Sequence, residues 1–322
     1  MMVFLKKNWF FAGILVVVLM AFGIPSLGQW AREYRILSVG IFLAFFITGL
    51  TLETSSIGTE LRRFRAPVAA MISSLVVIPL LFWLLAVLAL PPEFVIGVCI
   101  IATAPVTVAA GTVMTDLGRG NVSLSLFICV LGNFLAVFTI PFSLKLLLSF
   151  GSDIELPVLR MLFGLALTVL VPTILGQLVR PLVKGKLARR RKAFSIFQQC
   201  VVLLIIFNAV ASSTDRILQA GTAVIVVLVF MIFLHSLVLA MNYGVSRFIA
   251  LDRPSTTAFT IHTSQKTLTV SYLVWAGYFA AQYPMALIPG IGYHLTQTIM
   301  DSIVAERFRR AAERAARRYG PG

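Results

Sequence analysis

Apolar residues run along this chain in long blocks, separated by short polar or basic interruptions and without the strict alternation that marks a half-buried strand. Ten blocks are long enough, or nearly so, to cross a hydrocarbon layer about 30 Å thick as helices. They cover 8–26, 35–52, 66–90, 94–115, 121–149, 157–179, 196–212, 220–247, 256–280 and 283–305. The pattern predicts an all-α polytopic membrane protein with ten transmembrane helices. The first block follows Lys6 and Lys7 and so resembles a signal peptide, but it lacks a small-residue cleavage site and nine blocks follow. It is predicted to be a retained helix. The longest polar connection is 180–195, and no block carries the pattern of a soluble domain.

Ten spans divide into five and five, and an odd number per half forces two inverted repeats. Spans four and nine would be partners, and both carry polar clusters at mid-span. Span four holds Pro105, Thr107, Gly111, Thr112 and Thr115. Proline removes a backbone donor and clashes with the preceding turn, and glycine frees the backbone from helical geometry. Span nine reads Thr260-Ile261-His262-Thr263-Ser264-Gln265-Lys266-Thr267. Polar or broken segments at matching places in two halves point to a transporter's binding site. The exits of spans two and seven are both rich in serine, a weaker sign of the same symmetry.

Composition agrees with a lipid solvent: 59% of residues are hydrophobic, 12% charged, and the mean hydropathy is +0.96. The net charge of +15 is a matter of placement. Of 27 Lys and Arg, 21 fall on the side that holds both termini, 5 on the other, and Lys266 remains inside span nine. The bias puts both termini in the cytoplasm of a bacterial-type inner membrane and accounts for the basic charge without nucleic acid. The tail 311–322 and the basic loops are expected to meet anionic lipid headgroups. Cys99, Cys129 and Cys200 lie in apolar runs and read as small buried hydrophobes. No catalytic set, metal-ligand spacing or phosphate loop is present, so no enzyme activity and no cofactor is expected.

Several motifs, taken in order, resemble the bile acid:sodium symporter superfamily, specifically its divergent SBF-like branch. They are Pro105-x-Thr107-Val108 with Val113-Met114-Thr115, Gly120-Asn121-Val122-Ser123-Leu124-Ser125-Leu126-Phe127, Leu131-Gly132-Asn133, Gly176-Gln177-Leu178-Val179-Arg180-Pro181, and Ser264-Gln265-Lys266-Thr267-Leu268. The resemblance covers nearly the whole chain. It implies one transporter domain over 1–310, with a panel of spans in 1–60 and 155–215 and a core of spans in 61–154 and 216–310. It also implies that spans four and nine are broken and cross, and that panel and core move against each other.

Departures from the family pattern bear on coupling. In the sodium-coupled branch a Glu precedes the span-nine Gln by four residues; here Ile261 stands there, and Lys266 replaces the Asn after the Gln. The span-four Ser-Asn pair becomes Gly111-Thr112. A cage that has lost its carboxylate and gained an amine is a poor sodium site, which speaks against sodium coupling. The arsenite-permease branch has Cys directly after the span-four Pro; Val106 stands here, so the soft ligand for arsenite is missing.

Lys266 is the leading candidate residue, because an intramembrane Lys costs roughly 2.5–3.5 kcal/mol to insert. Two roles stay open: an ammonium tying unwound carbonyls together where sodium would sit, or a counter-ion or coupling group for an anionic substrate. Gln265, Ser264, Thr263, Thr107, Thr112 and Asn133 are candidates for neutral substrate contacts, or for bonding broken backbone. His262, Asn121 and Gln265 join Lys266 as candidate coupling groups, with Asn121 alternatively capping span five and His262 an interhelical histidine. His235 and His294 read as packing. Asp301 is expected to pair with nearby Arg residues, and Glu53 with Arg62 or Arg63. The function expected is transport of small organic anions by alternating access, by a monomer or homodimer. The alternatives are a non-transporting regulatory or scaffold protein, or a sodium symporter with a rebuilt cation site.

Overall fold

A computed structural model describes residues 9–33, 36–52, 64–107, 109–149 and 154–319. Glu53, Arg62, Arg63, Lys6, Lys7 and Val108 lie outside them. Among the described residues the regular structure is helix, with no strand. In chain order the helices are α1 (Trp9–Gly23), α2 (Ser26–Glu33), α3 (Ile36–Thr51) and α4 (Arg65–Ala89). Next come α5 (Pro92–Thr103), α6 (Ala109–Leu117) and α7 (Val122–Ser149). The arms α8 (Val158–Val183) and α9 (Lys192–Ala220) follow, then α10 (Thr222–Phe248), α11 (Arg253–Ser264), α12 (Leu268–Tyr278) and α13 (Ile288–Tyr319). Among the described residues α4, α7, α8, α9 and α10 are long and apolar enough to cross a membrane, and their outward faces carry Leu88, Leu146, Leu159 and Leu182 in the open. A surface of that kind is solvated by lipid, and the protein is a multi-pass membrane protein.

The segment 180–195, read from sequence as a polar connection, is helical: helix runs from Val171 to Ala220 without a non-helical residue. Its Lys and Arg are good helix formers, so polarity there does not break the helix. It is nonetheless not one rod. The Gln177 amide donates to the Gly49 carbonyl at 2.8 Å, while the Gln198 amide donates to the adjacent Thr48 hydroxyl at 3.0 Å. A straight helix would hold residues 177 and 198 about 31 Å apart, so the chain reverses between them and α8 and α9 both lie along α3.

Close backbone approach sets this first group of helices. A Cβ on Gly49 would run into the Thr173 carbonyl and one on Gly176 into the Phe46 carbonyl. The Gly176-Gln177 motif is thereby a packing device: glycine permits contact, and Gln177 bonds the Gly49 and Leu52 carbonyls at the end of α3. On the other side of α9, the Asn208 amide donates to the Gly28 carbonyl of α2, and Gly13 of α1 sits on Leu203. The second group is α4–α7 with α10–α13, in which α10 packs on α11 and α13, and α5 on α4 and α13.

Two chain breaks lie inside the second group. Helix α5 stops at Thr103 and α6 starts at Ala109; Pro105, without an N–H, cannot continue the ladder. Helix α11 stops at Ser264 and α12 starts at Leu268. The breaks touch: the Thr267 N–H donates to the Pro105 carbonyl at 2.8 Å.

Candidate functional site

A cavity of about 200 Å³ lies between the two helix groups with both breaks on its wall. The first group supplies Phe10, Phe45, Thr48, Ser195, Gln198 and Gln199; the second supplies Thr107, Ala110, Thr267, Thr269, His294 and Thr298, among others. No Lys, Arg, Asp or Glu is among its described lining residues. Its polarity comes from hydroxyls, amides and one imidazole. The Gln199 side-chain oxygen is buried and has no partner among the described residues, leaving an acceptor free for a ligand donor. The first turns of α6 and α12, through Ala110 and through Leu268 and Thr269, border the cavity. Helix N-termini carry unpaired N–H groups and partial positive charge.

Thr107 joins cavity to core. Its hydroxyl accepts the Gly111 N–H at 3.1 Å, capping α6, and donates to the Gln265 side-chain oxygen. The Gln265 amide nitrogen donates to Asp301 Oδ2 at 2.6 Å. Asp301 Oδ1 meets His235 Nε2 at 2.8 Å, His235 Nδ1 meets the Tyr293 hydroxyl at 3.0 Å, and that hydroxyl donates to the Ser264 carbonyl at 2.7 Å. Asp301, His235 and Tyr293 are all fully buried.

This network corrects two expectations. Asp301 does not pair with the Arg residues that follow it in sequence; its partner on α10 is His235, at 2.8 Å. The helix turns Asp301 inward, while Arg309 and Arg310 engage Glu306. His235 is accordingly a polar partner and not packing. His294, also read as packing, lines the cavity, meets Phe10 edge-on at 6.3 Å and shares a hydrogen bond with Gln297.

Lys266 is fully buried and is not among the cavity's lining residues. Its Nζ donates to the Ser74 carbonyl at 2.6 Å, the Ser74 hydroxyl at 3.1 Å and the Ala104 carbonyl at 3.0 Å. Three acceptors match the three donors of an ammonium. The sequence explains why those carbonyls need a donor. Residues 73–77 form a π-helical turn in which the Ile78 N–H goes to the Ser73 carbonyl; the next donor along would be Pro79, which has none. Ala104 lies where α5 has ended. The Lys266 main chain is held too, with its N–H and carbonyl both bonded to the Gln297 side chain at 2.8 Å.

The remaining candidates spread around the breaks. His262 bonds Ser125 through Nδ1 and the Thr107 carbonyl through Nε2, at 2.7 Å. Gly111, expected to let the backbone unwind, is helical; what it supplies is space, because a Cβ there would meet the His262 ring at 2.5 Å. The Asn133 amide donates to the Val106 carbonyl at 3.1 Å, tying α7 to the first break. Asn121 caps α7 by accepting the Leu124 N–H at 3.0 Å, away from the cavity. Ser264 donates to the Thr260 carbonyl and accepts from Asn242. Thr263 is buried with its hydroxyl unpartnered among the described residues, and Thr112 is buried in α6. Sequence reading missed Thr48, Gln198, Gln199, Thr267, Thr269 and Thr298 as cavity residues. The adjacent amides 198–199 inside an apolar run were an available signal.

Comparison with known proteins meets this geometry at the level of the whole chain. Residues 8–310 match the SBF-like CPA transporter family. The sodium/bile acid cotransporter 7-B of Xenopus laevis is 28% identical over 316 residues, covering 93% of this chain and 91% of that protein. A probable chloroplastic sodium/metabolite cotransporter, BASS4 of Arabidopsis thaliana, is 28% identical over 315 residues, covering 94% of this chain and 72% of its own. The corresponding protein of Oryza sativa subsp. indica is 26% identical over 330 residues, covering 97% of this chain and 78% of its own. A match along nearly the full length, on a helical membrane protein with a polar cavity between two helix groups, establishes that the chain belongs to the SBF-like CPA transporter family, whose members are transporters and not enzymes.

Proposed function

We propose that this chain is a sodium-independent transporter of small organic anions that works by alternating access. One observation carries the reading: the cavity lies between the two helix groups, and both helix breaks form its wall. In this reading α1–α3, α8 and α9 are a panel and α4–α7 with α10–α13 a core, so the ten spans make two inverted repeats of five. Relative movement of panel and core would open the cavity to alternate sides. The N-termini of α6 and α12 favour the anion, and Thr107, Gln199 and His294 give it neutral polar contacts. Both termini would face the cytoplasm of a bacterial-type inner membrane. Arg119, Arg247, Arg253 and Arg314 gather around a second cavity of about 540 Å³, which suits anionic lipid headgroups on that side.

Names of the relatives include sodium, and the residues here argue against it. Carbonyls at the first break and at the α4 π-turn would be natural ligands for a small cation, yet Lys266 already donates to them. A resident ammonium and a sodium ion compete for the same oxygens. Lys266 is therefore assigned the tethering role, with the anion held at the cavity.

The test is flux. The purified chain, alone in proteoliposomes, is given radiolabelled taurocholate and pyruvate with external sodium, potassium or choline. Protein-dependent uptake that is equal in all three salts is expected. No uptake of any anion would favour a non-transporting membrane protein. Strict sodium dependence would mean that a cation site has been rebuilt.

A further inference from the structure

Asp301 is a fully buried carboxylate with no Lys or Arg beside it among the described residues. An isolated buried charge is costly, so what surrounds it decides its state. From α10 comes His235, in direct contact. From the second break comes Gln265, neutral. On α13 itself, Tyr293 bonds the far side of His235, and His294 turns to Gln297 and Phe10. From α11, His262 is committed to Ser125 and Thr107. Asp116 of α6 is exposed, Cys99 of α5 is buried, and Tyr272 of α12 bonds Asn208. Lys266 neighbours Gln265 in the chain, with its ammonium saturated elsewhere.

Charge counting over these groups gives two states. With a Lys266 ammonium, an Asp301 carboxylate and neutral histidines, the buried region sums to zero, a state in which the Tyr293 hydroxyl must turn from the Ser264 carbonyl to donate to His235 Nδ1. One more proton, shared between Asp301 and His235, makes it +1. A monoanion in the adjoining cavity, whose described walls carry no Lys, Arg, Asp or Glu, restores zero. Resting on the transporter reading above, we propose that the Asp301–His235 pair binds the proton that enters with an anionic substrate, so that transport is proton–anion symport.

Hydrogen bonds also link the pair to the cavity. Asp301 Oδ2 accepts from Gln265, whose side-chain oxygen accepts from Thr107 on the cavity wall. Protonation of Asp301 weakens that acceptor. The Gln265 amide is then less firmly fixed, and the Thr107 hydroxyl is released to donate to a substrate carboxylate. The only bond made and broken is the transferred proton's: hydronium on one side gives it to the Asp301–His235 pair, and the pair gives it to water on the other.

Two readouts test the proposal, and only one needs a substrate. Infrared spectra of the wild type, recorded from acid to alkaline pH, should show a carboxylic-acid carbonyl band that changes with pH. That band should vanish in Asp301→Asn and shift in His235→Gln. In proteoliposomes, an inward proton gradient should drive taurocholate or pyruvate accumulation together with alkalinisation outside. Both variants should lose about tenfold or more of the gradient-driven accumulation, with the remaining flux insensitive to pH. A wild-type spectrum without a pH-dependent Asp301 band, or an Asp301→Asn variant with wild-type proton-driven accumulation, overturns the proposal. Should Asp301→Asn not fold, His235→Gln and the wild-type spectra still decide it. If wild type moves no anion while the band titrates, the transporter reading fails and the proton site stands.

Discussion

Replacing Lys266 by Met removes the ammonium that donates to the Ser74 and Ala104 carbonyls and keeps most of the side-chain volume. Each buried carbonyl left without a donor costs about 1–3 kcal/mol, so the two together cost about 2–6 kcal/mol. Relief from burying an ammonium acts in the opposite direction, but that desolvation is already offset by three hydrogen bonds, and removing one partner from a buried charged site is usually destabilising by about 3–5 kcal/mol. We expect a net loss of about 3 kcal/mol. At roughly 2 °C per kcal/mol for a chain of this size, Tm falls by about 6 °C. Lys266→Ala makes a sharper case, because it leaves a space walled by the Ser74 carbonyl, the Ser74 hydroxyl and the Ala104 carbonyl, which a sodium ion can fill. Sodium at a tenfold excess over its Kd would restore about 1.4 kcal/mol. The assay is thermal unfolding of the purified protein in NaCl and in choline chloride at equal ionic strength. Wild type and Lys266→Met should melt alike in both salts, and Lys266→Ala should melt higher in NaCl. A Lys266→Met variant as stable as wild type, or a sodium-specific rise in the wild type, refutes the tether argument.

Other expectations follow from the same geometry. Gly111→Ala should lower stability by about 1–3 kcal/mol, since its Cβ must displace the His262 ring; an unchanged Tm would show that the ring moves freely. Gly49→Ala should be at least as damaging, because its Cβ meets the Thr173 carbonyl and backbone cannot rotate away; melting curves decide this. Gln199→Leu should weaken anion uptake by raising KM while the melting temperature holds, as the Gln199 oxygen has no internal partner among the described residues to lose. Hydrogen bonds from Arg309 and Arg310 pull the Glu306 carboxyl from 4.5 down to about 2. A lowered carboxylate stabilises above its unfolded value and loses that contribution as pH falls toward about 2. Because these pairs are exposed, Glu306→Gln should lower neutral-pH stability only slightly, and the loss should shrink in high salt and vanish as pH falls toward about 2, which a pH series of melting curves checks.

Much of the arrangement was legible in the sequence where it depends on local composition. The helix interruptions at Pro105 and at Gln265–Thr267 announce themselves as polar or proline-bearing residues inside apolar runs. The depth of Lys266 was equally plain. Its partners were not, because Ser74 is 192 residues away and its carbonyl is orphaned by a π-turn set up at Pro79. Asp301 misled because its charged neighbours along the chain are arginines, whereas a helix periodicity of 3.6 puts His294, Gln297, Thr298 and Asp301 on one inward face. Residues 180–195 misled for a related reason: polar composition reads as a loop, but Lys and Arg sustain helix. The cavity walls from α3 and α9 were hidden, since Thr48 and Gln198 acquire meaning only once two distant helices have packed.

The central claim is that substrate passes through the cavity between the two helix groups. Ala110 lies on its wall at the start of α6, and Ala110→Phe would fill the space from one side. The measurement is uptake of radiolabelled taurocholate and pyruvate by proteoliposomes holding this variant or the wild type, with melting curves confirming that both are folded. A loss of about tenfold or more in uptake by a folded Ala110→Phe protein is the result expected. Undiminished uptake through a filled cavity would contradict the account.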